Sequence, residues 1–160
     1  MRHILSVLVR NHAGVLSHVA GLFTRRSYNI ESLVAGETED PSISRITIVV
    51  TGDEGVLEQV MKQLQKLVDV ISVSDLKFNR AVSRELAIIT VMSTPQTRHE
   101  IIEITEVFGA KVVDMSDETI TIEISGEERV INNIVNLLNP YGIDEMARTG
   151  LIALGLRSIA

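Results

Sequence analysis

Two spacings of apolar residues alternate along this chain, and their order of alternation occurs twice. Leu5, Val7 and Val9 fall at every second position, with Ile4 and Leu8 on the opposite face, which predicts a strand over 3–10. Apolar residues on both faces predict a strand covered on two sides. Asn11-His12-Ala13-Gly14 breaks the pattern with turn chemistry. Val15, Leu16, Val19, Leu22 and Phe23 then recur at helical spacing, predicting an amphipathic helix over 14–26. Extended stretches at 29–37 and 43–51 flank the turn Glu39-Asp40-Pro41-Ser42. Val56, Leu57, Val60, Leu64 and Leu67 mark a second helix over 53–67, and 69–76 closes the unit as a fourth strand. The order is βαββαβ.

The second half follows the same plan. A strand over 85–93 leads to Thr94-Pro95, read as a helix cap with proline at the first helical position, and a helix over 96–108 follows. Strands 110–115 and 119–125 flank Ser116-Asp117-Glu118; a helix over 127–138 and a strand-like segment after Pro140-Tyr141-Gly142 complete the unit. The repeat extends to single residues. Ile46-Thr47-Ile48 matches Ile120-Thr121-Ile122, and Thr51-Gly52-Asp53-Glu54 matches Ser125-Gly126-Glu127-Glu128. Both tetrapeptides read as capping boxes. The fold class is therefore α+β, with two ferredoxin-like βαββαβ domains on antiparallel sheets, spanning 1–78 and 79–160. Units of roughly 75 residues have marginal cores, and four-stranded antiparallel sheets leave edges to cover. Both facts predict stabilisation by pairing, within or between chains.

Composition narrows the function by exclusion. Hydrophobic residues make up 45% and aromatics only 3%, so branched aliphatics carry the core and favour sheet. The formal net charge is −6 and no stretch collects five basic residues, which argues against a nucleic-acid partner. There is no cysteine, hence no disulfide and no thiolate chemistry. The absence of a signal-peptide pattern and of any apolar run near ~20 residues points to a cytoplasmic protein without a membrane span.

Catalytic patterns are absent from the sequence. His3, His12, His18 and His99 include no pair at the spacing of a helical metal site and read as solvated surface residues. No nucleophile elbow, phosphate loop or dinucleotide fingerprint occurs, and the carboxylates fall on helix faces and turns. One loop stands out. Asn11-His12-Ala13-Gly14-Val15-Leu16 opens the first helix, whose free N–H groups and positive dipole suit a carboxylate. Gly14 lets a ligand approach the backbone. Asn11 can cap the helix or bond a ligand's polar group, and Asn29-Ile30 adds a second amide at the start of the next strand. Two amides and a helix terminus meet the needs of a zwitterionic amino acid.

The chain also resembles a known family. Ile4-Leu5-Ser6-Val7-Leu8-Val9, Asn11-x-x-Gly14-Val15-Leu16, Gly21-Leu22-Phe23, Tyr28-Asn29-Ile30-Glu31-Ser32-Leu33, and the run Thr38-Glu39-Asp40-Pro41-x-x-Ser44-Arg45-Ile46-Thr47 carry the likeness in the first half. They continue with Gly52-Asp53 and Leu67-Val68-Asp69-Val70, then Arg84-Glu85-Leu86 and Ala147-Arg148-Thr149-Gly150. The ordered set is similar to the regulatory (small) subunits of acetohydroxyacid synthase, also called acetolactate synthase, whose first half is an ACT domain. Ser27 departs from the glycine usual there. The resemblance implies a subunit without an active site or cofactor of its own, a homodimer through its ACT domains. Its partner would be a catalytic large subunit carrying thiamine diphosphate, magnesium and FAD. It implies activation of that subunit and feedback inhibition by valine in branched-chain amino-acid biosynthesis. Valine would bind Asn11, His12, Ala13, Gly14, Val15 and Leu16 of one chain and Asn29 and Ile30 of the other. An ACT-type sensor controlling a different enzyme is the alternative.

Overall fold

The computed structural model describes residues 1–26 and 28–158; Ser27, the departure noted above, lies outside them. The described chain forms two compact units, Met1–Ser83 with the residues from Leu151 onward, and Arg84–Gly150. In the first unit the order is β1 (Arg2–Arg10), α1 (Val15–Arg26), β2 (Asn29–Glu37), β3 (Ile43–Thr51), α2 (Glu54–Gln65) and β4 (Val70–Leu76). These strands form an antiparallel sheet in the order β2-β3-β1-β4. A 3₁₀ turn, Phe78–Arg80, leads into β5 (Ala81–Met92), the first strand of the second sheet. There α3 (Arg98–Val107), β6 (Lys111–Met115), β7 (Thr119–Gly126), α4 (Glu128–Leu138) and β8 (Ile143–Arg148) follow, in strand order β6-β7-β5-β8.

Alternation decides which side chains meet. Leu5, Val7 and Val9 on β1 join Ile46, Ile48 and Val50 on β3 beneath Val19, Leu22 and Phe23 of α1 and Leu57, Val60 and Leu64 of α2. The second unit buries Ala87, Ile89 and Val91 with Ile120, Ile122 and Ile124 beneath Ile101 of α3 and Ile131, Ile134 and Leu138 of α4. Because successive strand residues point to opposite faces, Ile4 and Val49 lie on the far side of the first sheet. They are covered there by the chain's own end. A final strand, β9 (Ile152–Gly155), pairs with β5, while Leu151 and Ala153 close a cluster with Ile4, Val49 and Leu76. The second face of β1 is thus covered at Ile4, while Leu8, further along that face, is half-buried. The C-terminal segment, assigned by the sequence pattern to the domain spanning 79–160, packs in the first unit. Its two buried positions are too few to set a period that distinguishes one sheet from another.

Three local expectations are corrected. The cap of α2 is Asp53, whose Oδ1 accepts the Val56 N–H at 2.9 Å, so Thr51 ends β3 instead of opening the helix. Gly52 is held by space, since a Cβ there would lie 2.8 Å from Val56 Cγ1. The α4 cap is Glu127, which makes no side-chain capping bond, and Ser125 stays within β7. In the second unit Thr97 caps α3, and Pro95 sits in a turn tied by the Thr97 N–H to Thr94 C=O bond at 3.1 Å.

The motifs Arg84-Glu85-Leu86 and Ala147-Arg148-Thr149-Gly150 prove to be neighbours across the sheet. Glu85 is buried and paired with the Arg148 guanidinium, which also donates to Asn132 Oδ1 at 2.9 Å. The Leu86 N–H donates to Thr149 Oγ1, and the Thr149 N–H returns to the Leu86 carbonyl, each at 3.0 Å. A carboxylate confined in this way loses its hydration, and breaking such a pair from one side strands a buried charge.

Two substitutions should separate the units. Arg148→Met should destabilise the second by about 3–5 kcal/mol, and Leu151→Ala the first by about 2–5 kcal/mol. In hydrogen exchange of the whole chain, Arg148→Met should speed the amides of β7, and Leu151→Ala those of β1 and β3. Equal acceleration in both sheets from Leu151→Ala would contradict the placement of the C-terminal segment.

Candidate functional site

The loop after β1 is shaped by a short set of backbone bonds. The Asn11 N–H donates to the Ser42 carbonyl at 2.8 Å, and the His12 N–H to the Arg10 carbonyl at 2.8 Å. Gly14 has φ +86°, a conformation open to glycine and strained for other residues. A Cβ there would meet nothing within 4 Å, so dihedral angle, not crowding, selects the residue and leaves open space beside it. Val15 is buried at the start of α1, while Asn11, His12, Ala13, Gly14 and Leu16 are exposed.

The end of α1 is electrostatically uncompensated from within. Its first turn holds no acidic residue, and the Val15 N–H reaches the His12 carbonyl only at 3.4 Å. Such a terminus keeps its positive potential and free donors, the requirement for holding a carboxylate. Asn11 does not spend its side chain as a cap. Its Nδ2 donates to the Pro41 carbonyl at 3.2 Å, fixing the amide group on the neighbouring turn without using the carboxamide oxygen, the atom an ammonium would need.

That turn is itself braced. Asp40 Oδ1 accepts from the Ser42 N–H at 2.9 Å and from the Ser42 hydroxyl at 2.8 Å, and Thr38 Oγ1 donates to the Asp40 and Ile43 carbonyls. The bonds from Ser42, backbone first and hydroxyl second, hold the Asp40 carboxyl below the ordinary carboxylate range. On the other side of the loop, His12 Nδ1 lies 3.1 Å from Asp69 Oδ1, and the Arg10 N–H donates to the Asp69 carbonyl at 2.8 Å.

Asn29 and Ile30 lie elsewhere. Asn29 is exposed at the first position of β2 and pairs with Thr51, which pairs in turn with Arg2. The loop follows Arg10, at the other end of the nine-residue β1. At ~3.3 Å per residue the two places are roughly 26 Å apart along the sheet. One chain therefore does not bring the candidate residues together. β2 is an edge strand, paired only with β3 in its sheet, with a bulge between Ile30 and Ser32 and an Arg2–Glu31 ion pair at 2.7 Å.

The remaining chemistry is sparse. His3, read from the sequence as solvated, is buried with Nε2 3.2 Å from the Gly52 carbonyl. It falls on the same face of β1 as Leu5, Val7 and Val9, so the alternation that located the strand also carries His3 inward. Among the described residues no group of three or more histidines and carboxylates gathers to hold a metal ion, and no helix is long and apolar enough to cross a membrane.

Comparison with known proteins matches both halves. Residues 5–72 match a family described as AHAS small subunit-like ACT domain, and residues 84–156 match the small subunit of acetolactate synthase. The chain is 49% identical over 154 residues to a probable acetolactate synthase small subunit of Archaeoglobus fulgidus, covering 96% of each. It is 51% identical to the acetolactate synthase small subunit of Aquifex aeolicus, covering 96% of this chain and 80% of that one. Its fold matches the crystal structure of the acetolactate synthase small subunit from Thermotoga maritima with a TM-score of 0.90 at 39% identity, covering 97% of both chains.

The lowered Asp40 value has a pH consequence with a defined sign. A carboxyl whose folded value is depressed supports the turn above its unfolded value, and that support disappears as pH falls through the folded value. The Ser42 amide proton should therefore titrate with a midpoint below that of an unstructured aspartate, and Asp40→Asn should remove the transition. A midpoint at or above the unstructured value, read by NMR, would contradict the bracing role.

Proposed function

Because the chain belongs to the acetolactate synthase small subunit family, we propose that it activates the catalytic large subunit and makes it sensitive to valine. In this reading the cytoplasmic protein is a homodimer through its ACT units and has no catalytic centre or cofactor. Thiamine diphosphate, magnesium and FAD belong to the large subunit, which carries out the chemistry.

The observation that supports it best is the division of the effector residues between the two ends of one sheet. Two β2 edges meeting antiparallel across a two-fold axis reverse the direction of the partner's strand. The partner's Asn29 then comes to the sheet end where Arg10 leads into the Asn11–Leu16 loop. The effector carboxylate faces the α1 terminus, its ammonium takes amide and carbonyl oxygens, and Ile30 of the other chain adds apolar contact. Effector binding is then dimer binding.

Magnitudes fit feedback control. A valine side chain contributes roughly 1.5–3 kcal/mol on burial, a carboxylate at a helix end up to ~2 kcal/mol, and each hydrogen bond about 1 kcal/mol. After ordering costs, the dissociation constant falls between about micromolar and about millimolar. One methylene changes binding by only ~1–3 kcal/mol, so isoleucine should compete.

Valine should raise the melting temperature of the purified protein, and Asn11→Ala or Asn29→Ala should each abolish the shift. Titration into a cognate large subunit should raise its turnover, and valine should lower it again. No rise at saturation would end the activator assignment, and a thermal shift unchanged in both variants would remove these amides from the site.

A further inference from the structure

We propose that the groove between α1 and the turn joining α2 to β4 docks an acidic, apolar-anchored segment of the large subunit, a proposal that rests on the regulatory reading above. The groove encloses about 330 Å³ within the first unit. Its floor is apolar, with Val15 and Val19 from α1, Leu67 from the turn and Val70 from the start of β4. Its two permanent cations come from separate segments: Arg25 stands on α1, seven residues and two turns beyond His18 on the same stripe, and Lys66 caps the end of α2. Sequence runs could not show this cluster, because only the fold assembles it.

Charge decides the kind of partner. The chain as a whole carries −6, yet the groove sets two permanent cations, Arg25 and Lys66, against one carboxylate, Asp69, a local balance of +1. A surface of sign opposite to its chain selects an anionic partner and speeds its encounter. Val68 decides between a small molecule and a protein. It is 93% exposed and stands on the rim of the groove. A ligand confined to the groove would leave that side chain in water, whereas a protein segment lying across it would bury floor and rim together. An apolar anchor inside a charged rim is the usual anatomy of a protein–protein contact.

The test is titration of the full-length small subunit into its cognate large subunit without valine, reading the half-saturating concentration for activation. The Arg25→Glu/Lys66→Glu double variant should raise that concentration at least about tenfold. Raising salt from about 50 to about 500 mM should weaken the wild type and affect the double variant little or in reverse. Val68→Ser, fully solvent-facing and safe for folding, should weaken activation at both salt concentrations. Each variant should keep the dimer mass and the valine-induced thermal shift. Unchanged half-saturation in both variants, with the wild type activating normally, overturns the groove assignment alone. If the wild type itself fails to activate, the regulatory reading falls first. If the variants instead change the oligomeric mass, the groove joins copies of this chain and the large-subunit assignment is wrong.

Discussion

The antiparallel register of β1, β3 and β2 is the constraint on which the rest depends. It aligns Arg2 with Thr51 and Asn29 at one end of the sheet, and Arg10 with Ile43 at the other. Backbone hydrogen bonds and the inward set of Leu5, Val7, Ile46 and Ile48 hold that alignment, since a slip by one residue would turn the core outward. With the register fixed, no flexing of one chain brings the Gly14 loop to Asn29. On the proposed site, a ligand touching both would join two chains, and sensing and association would be linked equilibria.

Linkage of this kind works best when the structural energies are of similar size. A unit of about 80 residues has roughly 4–12 kcal/mol of stability, and coupling between sites is typically ~1–3 kcal/mol. An effector contributing a few kcal/mol can therefore shift such an assembly, whereas it could not shift one held by a far larger interface. The first unit offsets its small size by borrowing the chain's own end: Leu151 and Ala153 cover Ile4 and Val49 on the face the helices leave open.

Much of this was legible in residue spacing. The alternation of Leu5, Val7 and Val9 located the first strand, and of the two residues on its second face Ile4 receives the expected cover while Leu8 stays half-buried. The internal repeat located both units and the loop–helix junction. What escaped was set by distance in space. The source of that cover lies in two residues some 150 positions along, and Glu85, against the expectation that the carboxylates fall on helix faces and turns, is buried on β5 beside Arg148. The capping boxes failed because Asp53 and Glu127 took the cap two residues later than Thr51 and Ser125, which the strands retained. The candidate loop was found because a helix start and a glycine turn are local signals. Its distance from Asn29 is a property of the sheet.

Asp69 gives the proposed effector loop and the proposed docking groove a common support. Its carbonyl accepts the Arg10 N–H, its carboxylate faces His12, and it lines the groove beside Lys66 and Val68. Val15 serves both places as well, its amide at the α1 terminus and its side chain in the groove floor. An occupant that tightens the 11–14 loop therefore acts on the position of the 66–70 turn through two direct bonds rather than through a long path of contacts. On the proposed assignments Asp69 is where the two places touch, through a backbone bond from Arg10 worth about 1 kcal/mol and a solvent-exposed contact with the His12 ring.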